Sequence, residues 1–183
     1  TQSNWVEVVN VTNAQNSVNV AFRDPAGAVF QSTTLDLSAR SQFHLFASAV
    51  LEDRALTRGT VSVDGVGGVI AQSVVYYHDC SSNRLHTAYN VQAEAPRSVP
   101  VTGSYNTFIG IQNELFVAGA RGVQRNVDLE LRSNGDVIHG SRFALNNFAS
   151  TVLNLNDESF GTTADTYGLI TADTVPGDTV FGH

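Results

Sequence analysis

The sequence contains no lysine and no methionine, and charged residues make up only 15% of its 183 residues. All ten basic side chains are arginines scattered along the chain, and the formal net charge is −7. Nucleic-acid binding needs a basic stripe that neutralises phosphates, and binding to an anionic membrane needs a polybasic patch. Neither is present, and no apolar run reaches the roughly 18 to 20 residues that span a bilayer. The sequence therefore predicts neither nucleic-acid binding nor membrane insertion.

Cysteine is nearly absent as well. The single residue, Cys80, cannot form a disulfide within the chain. Because there is no initiator methionine, we expect a processed mature protein or a segment of a longer one, with a trimmed chain as the alternative. Hydrophobic residues still make up 42% of the sequence, which is enough for a core and too much for disorder.

The apolar residues recur with the period of β-strands. In 18–23 and 127–132 every second residue is apolar, as expected for antiparallel sheets with one solvated face. Asp24–Gly27 and Ser133–Asp136 read as hairpin turns between such runs. The pair Asn134-Gly135 is the stronger signal, because both central residues of a type I′ turn need positive φ. Helical periodicity is confined to residues 47–56, so the predicted fold class is all-β.

These hairpins also reveal an internal repeat. Placing Val18–Leu37 on Val127–Leu145 aligns both strands and both turns. The alignment extends to three further pairs of segments: Trp5-Val6-Glu7-Val8 on Leu115-Phe116-Val117-Ala118, Phe43-His44-Leu45 on Leu153-Asn154-Leu155, and Gly59-Thr60-Val61 on Gly168-Leu169-Ile170. The shared order and spacing predict a tandem duplication with a period of roughly 110 residues. The predicted units are residues 1–100 and 101–183.

The two copies of the repeat begin and end at different points of the repeating pattern. The second unit has a lead-in, residues 103–110, that the first unit lacks, and it ends before a counterpart of the strand pair 74–89. Missing strands leave unpaired edges, which neighbouring molecules can fill. We therefore predict head-to-tail assembly by strand complementation, through the strand around Trp5 and through Val180 and Phe181 near the C-terminus. A segment of a longer array is the alternative.

The order of motifs resembles a known family. A strand, a turn of the Asp-x-x-Gly type at Asp24–Gly27, an apolar strand and the hairpin that begins at Val74-Val75-Tyr76-Tyr77 are similar to the tandem immunoglobulin-like repeats of large bacterial surface proteins. Thr102–Asn106 is similar to the lead-in of such repeats. The resemblance implies two tandem immunoglobulin-like antiparallel β-sandwich units and an extracellular or cell-surface location. It implies no catalytic residues.

Two groups of residues are candidates for metal binding. His78, Cys80 and His86 flank one hairpin, and imidazole and thiolate are ligands for zinc or copper, although the spacing matches no standard site. Asp157 and Glu158 are candidates for calcium, which takes six or more oxygen ligands. For both groups the alternative is polar residues at solvated turns. We predict that the protein needs no cofactor, with calcium as the alternative.

Two further features bear on surface chemistry. Asn10-Val11-Thr12 fits the N-glycosylation sequon, which makes Asn10 a candidate glycosylation site. Tyr76, Tyr77 and Tyr89 are candidates for stacking on carbohydrate rings, with core packing as the alternative. The sequence has no nucleophile elbow, no phosphate-binding loop and no zinc-protease motif, so we predict that the protein is not an enzyme.

Taken together, these features predict an extracellular structural protein, a subunit of a filament, sheath or surface stalk whose partners are copies of itself. An adhesive or carbohydrate-binding module that recognises cell-surface ligands is one alternative. A single jelly-roll protein of the capsid type, in which the repeat is accidental, is the other.

Overall fold

The computed structural model describes residues 2–52, 58–79, 81–82, 84–93, 100–119, 124–174 and 180–182. This part of the chain forms antiparallel sheets with one short α-helix, so the predicted all-β fold is confirmed. None of its helices is long and apolar enough to cross a membrane. The strands belong to two compact units, one within residues 2–93 and one within 100–182, and the four residues Pro25–Ala28 group with the second. The predicted boundary at residue 100 adjoins residues 94–99, which lie outside the described ranges.

The first unit is a sandwich of two sheets. Its elements are β1 (Gln2–Asn10), β2 (Asn16–Arg23), β3 (Val29–Leu37), β4 (Gln42–Phe46), α1 (Ala47–Glu52), β5 (Thr60–Asp64), β6 (Val69–His78) and β7 (Leu85–Gln92). One sheet has the order β4-β1-β6-β7 and the other β3-β2-β5. Alternate residues of β1 and β2, led by Val8, Val18 and Val20, are fully buried and meet in one core. The single helix falls within the predicted helical stretch.

The second unit is also a two-sheet sandwich. Its strands are β8 (Val101–Asn106), β9 (Glu114–Gly119), β10 (Arg125–Ser133), β11 (Asp136–Leu145), β12 (Ser150–Asn154), β13 (Tyr167–Thr174) and β14 (Val180–Gly182). The sheets have the orders β11-β10-β13-β8 and β12-β9-β14. Val117 from one sheet and Val127 and Leu131 from the other are fully buried in a shared core.

The central hairpins of the two units have the same register. Val18 pairs with Leu35 as Val127 pairs with Phe143, matching the aligned sequences. Both ladders shift by one residue at the same point, between Phe22 and Arg23 in β2 and between Leu131 and Arg132 in β10. The second hairpin turns at Asn134 and Gly135, whose φ angles of 51° and 93° are those that a type I′ turn requires.

The alignment of β1 with β9 is wrong by one residue. It places Trp5 on Leu115, whereas Val6 is the residue that faces the core, 5% exposed, as Leu115 does at 9%. Val6 pairs with Leu45 and Leu115 pairs with Leu153, so the equivalent of Leu153 is Leu45 rather than Phe43. A shift of one residue moves every side chain of a strand to the other face. Trp5 therefore lies on the outer face of its sheet.

The strand order differs from the immunoglobulin-like order that the resemblance implies. In an immunoglobulin sandwich the first two strands share a sheet. Here β1 and β2 lie in different sheets, as do β8 and β9, and most connections cross from one sheet to the other. Two sheets joined in this way have the strand order of a jelly roll. Alternation of apolar residues fixes which face of a strand is buried, but not which sheet the strand joins.

Candidate functional site

The two units match strand for strand except at one position in each sheet. The order β3-β2-β5 corresponds to β11-β10-β13, and β4-β1-β6 corresponds to β12-β9-β14. The second unit adds β8 beside β13, whereas no described strand lies beside the equivalent strand β5. The first unit in turn adds β7 beside β6. The edge of β5 is therefore open among the described strands.

The missing neighbour leaves apolar side chains of the first core exposed. Val61 pairs with Phe22 as Ile170 pairs with Leu131, so Val61 and Ile170 hold equivalent positions. Ile170, flanked by β8, is 5% exposed, whereas Val61 is 36% exposed. The difference in exposure between Val61 and Ile170 indicates how much of the Val61 side chain a strand beside β5 would cover.

Most residues of strand β7 are also exposed to solvent. Every residue from Leu85 to Asn90 is exposed. Since β3 and β4 lie together at one side of the sandwich, β7 lies at the other side with the open edge of β5. Tyr77 and Tyr89 project from the core-facing side of this sheet with ring centroids 6.0 Å apart, and they are 37% and 48% exposed. Partial burial, reinforced by a hydrogen bond with Tyr77, raises the pKa of the Tyr89 phenol.

We call the space beside β5 the β5 slot, and its residues are Gly59, Val61 and Val63. A strand added there would pair with the backbone on the side of β5 away from β2 and cover apolar side chains at the same time. Addition of an extended segment to an exposed sheet edge is an established mode of recognition, in which main-chain hydrogen bonds supply affinity and alternate side chains supply specificity. The sequence carried a signal for this site, because Gly59-Thr60-Val61 aligns with Gly168-Leu169-Ile170, but pairing with β8 could not be deduced from it.

A row of polar side chains crosses the outer face of the other sheet of the first unit. The Nε2 atom of His44 lies 3.7 Å from Oε1 of Glu7. Gln72 donates a hydrogen bond of 2.6 Å to Oε2 of Glu7, and Asn90 donates one of 3.0 Å to Oε1 of Gln72. The row therefore spans all four strands, from β4 to β7.

Aromatic rings lie beside this row. Trp5 and Phe46 are stacked with ring centroids 4.7 Å apart, and Phe46 is 40% exposed. Tyr76 opposes Ser3 in the ladder and shares this outer face. The predicted tyrosine platform is therefore divided between two faces, because Tyr77 and Tyr89 project from the core-facing side.

The residues predicted to mediate assembly are placed as follows. Trp5 belongs to β1, which pairs with β4 on one side and β6 on the other, so its backbone has no free edge for an added strand. Val180 and Phe181 belong to β14, which pairs with β9. Among the described strands the open edge therefore belongs to β5 rather than to β1, and a role of Trp5, Val180 and Phe181 in assembly stays a prediction.

Asn10 is unsuited to carry a glycan in the folded protein. Its side chain is fully buried, and its amide nitrogen donates to the carbonyl oxygens of Ala14, Leu37 and Ser38 at 2.8, 3.2 and 2.9 Å. Its Oδ1 accepts hydrogen bonds from the backbone and the hydroxyl of Thr12. The sequon reflects this local network, and glycosylation would have to break it.

Two residues of the first metal-site candidate lie on the paired strands β6 and β7. His78 ends β6 and pairs with Leu85, while His86 lies at the irregularity in the β7 ladder. Cys80 lies outside the described residues.

Of the two calcium candidates, Asp157 is engaged in a local hydrogen bond. Asp157 accepts a hydrogen bond from the backbone N–H of Ser159, which lowers the pKa of its carboxyl group, and the Glu158 side chain is not described. Within the described ranges, no three His, Cys, Asp or Glu side chains converge as a metal site would require.

Comparisons with known proteins identify no family. No family model matches the chain, and no curated protein matches it. One solved structure, described as the structure of infectious bursal disease virus Gt strain, is similar at 12% identity with a TM-score of 0.23. The match covers 98% of this chain and 54% of that one, so the chain spans about half the length of the viral protein. A TM-score this low carries no argument about function.

Proposed function

We propose that this chain is a structural protein that assembles with copies of itself by adding a β-strand at the β5 slot. The observation that supports this most directly is the exposure of Val61, 36% against 5% for its equivalent Ile170. An open edge beside exposed core residues is a liability for an isolated protein, and an added strand removes it. Each backbone hydrogen bond gained contributes about 0.5 to 1.5 kcal/mol.

The geometry of assembly follows from where the slot lies. The slot is in the first unit only, since the equivalent position in the second unit is filled by β8. A contact between this edge and a different surface of the next copy is heterologous, and it forms a ring or an open filament. We propose an extracellular or cell-surface location on the strength of the sequence resemblance, and a non-catalytic role because the sequence has no catalytic motif.

Replacing Val61 with lysine tests this function. A lysine at this position places a charge in the slot, where an incoming strand would bury it, while in the free chain it can reach water. We expect wild-type protein to form polymers as concentration rises and V61K to remain monomeric, measured by light scattering after gel filtration and by electron microscopy. Val66, 87% exposed in the loop before β6, provides the matched control, and V66K should assemble like wild type.

Two results would contradict the assembly proposal. One is a wild-type chain that stays monomeric at every concentration reached. The other is a V61K variant that polymerises as readily as V66K.

A second candidate function is binding of a neutral carbohydrate on the outer face of the sheet β4-β1-β6-β7. The supporting observation is the stacked pair Trp5 and Phe46 beside the polar row of Glu7, Gln72 and Asn90. Aromatic rings stack on sugar rings, and planar carboxylate and amide groups hydrogen-bond to hydroxyls. The chain's net charge of −7 disfavours anionic glycans.

Phe46→Ala tests carbohydrate binding. Loss of the ring should weaken retention on insoluble cellulose, chitin or β-1,3-glucan about fivefold or more. Phe43→Ala is the matched control, because Phe43 lies on the same strand with similar exposure, 45%, but opposes Val8 on the other face. Equal losses in both variants, or no retention of wild-type protein on any of the three, would count against this function.

The strand order itself supports a wider set of roles. Jelly rolls occur in viral capsid proteins, lectin domains and cupins, so the fold does not select among shell-forming, sugar-binding and other functions. A capsid-type subunit remains the alternative within the structural class, and the same electron micrographs distinguish closed shells from filaments.

A further inference from the structure

The second unit contains a filled copy of the β5 slot. There β8 pairs with β13, with Val101 opposite Ala172, Gly103 opposite Ile170 and Tyr105 opposite Gly168. Tyr105 is 2% exposed and belongs to the core of the unit, and this burial raises the pKa of its phenol. The Tyr105 side chain thus covers the core of the second unit at this edge of the sheet.

The ring of Tyr105 lies over a glycine. A β-carbon at Gly168 would lie 3.0 Å from Cε1 of Tyr105, and it would also overlap the carbonyl oxygen of Arg132. Any larger residue at this position would therefore displace the tyrosine ring as well as the neighbouring strand.

The first unit has the same glycine without the tyrosine. Gly59 precedes Thr60 as Gly168 precedes Leu169, and a β-carbon at Gly59 would overlap the carbonyl oxygen of Arg23, the residue equivalent to Arg132. The close approach of backbone beneath the Tyr105 ring, which we call the tyrosine seat, is therefore repeated beside β5. At Gly59 the nearest side-chain atom to such a β-carbon is Cδ2 of Leu51, at 3.9 Å, so a ring that enters here would pack against Leu51. No described strand supplies a ring to it.

We infer that the β5 slot is a peptide-binding site that selects an extended segment with the side-chain pattern of β8. In this pattern small or apolar residues face Val63 and Val61, and a tyrosine two residues further along lies over Gly59. The inference rests on the proposed strand addition at β5 and specifies which side chains the added strand must carry. The occupant is an extended polypeptide segment of this pattern. Within the chain itself the pattern occurs in Val101–Asn106, which is paired with β13, so a second copy could supply it only by releasing β8 from its own sheet.

The side chains that line the slot support this choice of ligand. Val61 and Val63 are apolar, and Tyr77 and Tyr89 lie on the same side of the unit. An aromatic ring that packs on such a surface loses contact with water, and aromatic residues buried in this way often dominate binding. A segment with charged residues at the inward positions would bury them without partners.

A synthetic peptide of residues 100–107, Pro-Val-Thr-Gly-Ser-Tyr-Asn-Thr, tests the inference directly. We expect the labelled peptide to bind full-length protein in fluorescence anisotropy and to lose at least about tenfold in affinity when its tyrosine is replaced by alanine. Replacement of the same tyrosine by phenylalanine should retain most of the affinity. The V61K protein should bind at least about tenfold more weakly than V66K, which locates the peptide at β5 rather than at β13.

The outcomes separate this inference from the proposed assembly. Peptide binding that depends on tyrosine and on Val61 supports the slot even in a chain that never polymerises. Another outcome is that the chain polymerises through Val61 while the peptide fails to bind, or binds equally well without its tyrosine. In that case the assembly proposal stands, and the inference that the β5 slot selects a tyrosine is overturned. Binding that V61K leaves unchanged would also overturn it.

Discussion

Replacing Asn10 with alanine is expected to destabilise the first unit by about 3 kcal/mol. The side chain of Asn10 is fully buried and donates to three carbonyl oxygens, which belong to Ala14, Leu37 and Ser38. It also accepts two hydrogen bonds from Thr12. Alanine removes every one of these bonds and leaves shielded polar groups without partners, which cost about 1 to 3 kcal/mol each.

The measurement is denaturant unfolding followed by tryptophan fluorescence. Trp5 is the only tryptophan in the sequence and lies on β1, the strand that Asn10 ends, so its signal reports the first unit. Asn19→Ala is the control, because Asn19 is exposed on β2 and should change the free energy of unfolding by less than about 0.5 kcal/mol. Equal effects of the two substitutions would show that the network around Asn10 is not an anchor of this unit.

Replacing Gly168 with alanine is expected to destabilise the second unit by at least about 3 kcal/mol. The added methyl group would overlap the carbonyl oxygen of Arg132 and crowd the ring of Tyr105. Both neighbours belong to strands that pair with β13, so relief requires breaking the ladder on one side or expelling a core aromatic residue. Neither adjustment is small.

Hydrogen exchange measured by mass spectrometry checks this result. Peptides from β8, β10 and β13 should lose protection in Gly168→Ala. Gly140→Ala is the matched control, since a β-carbon at Gly140 on β11 meets no atom within 4 Å, and protection there should be retained. Gly59→Ala should produce the equivalent loss in the first unit, seen by Trp5 fluorescence. A neutral Gly168→Ala would mean that β10 and β13 do not approach as closely as described.

Local sequence features predicted the strands and turns because their causes are local. The period of two in 18–23 and 127–132 reflects burial of alternate residues, and the turn at Asn134-Gly135 needs residues that tolerate positive φ. The same reasoning aligned Val18 with Val127 in the register that the sheets adopt.

The same reasoning failed at β1, where apolar residues occur on both faces: Trp5 and Val9 flank Glu7 on one face, and Val6 and Val8 lie on the other. Both faces then satisfy the pattern, and only packing shows that the face with Val6 and Val8 is buried while Trp5 stacks outside on Phe46. The sequon at Asn10 has a related limit. A three-residue motif carries no information about burial, and the amide of Asn10 is used by carbonyl groups about 28 residues away.

The sequence by itself determined that this protein is built of short β-strands with the same succession of strands and turns repeated, because alternation and turn chemistry act between neighbouring residues. Only the tertiary structure decided which strands become neighbours, since pairs such as Val8 with Ala71 join residues far apart in the chain. Among the described strands, that choice leaves β5 at an open edge and gives its equivalent β13 a neighbour on both sides. The exposed edge of β5 and the tyrosine seat at Gly59 therefore result from strand pairing, which no local sequence pattern specifies.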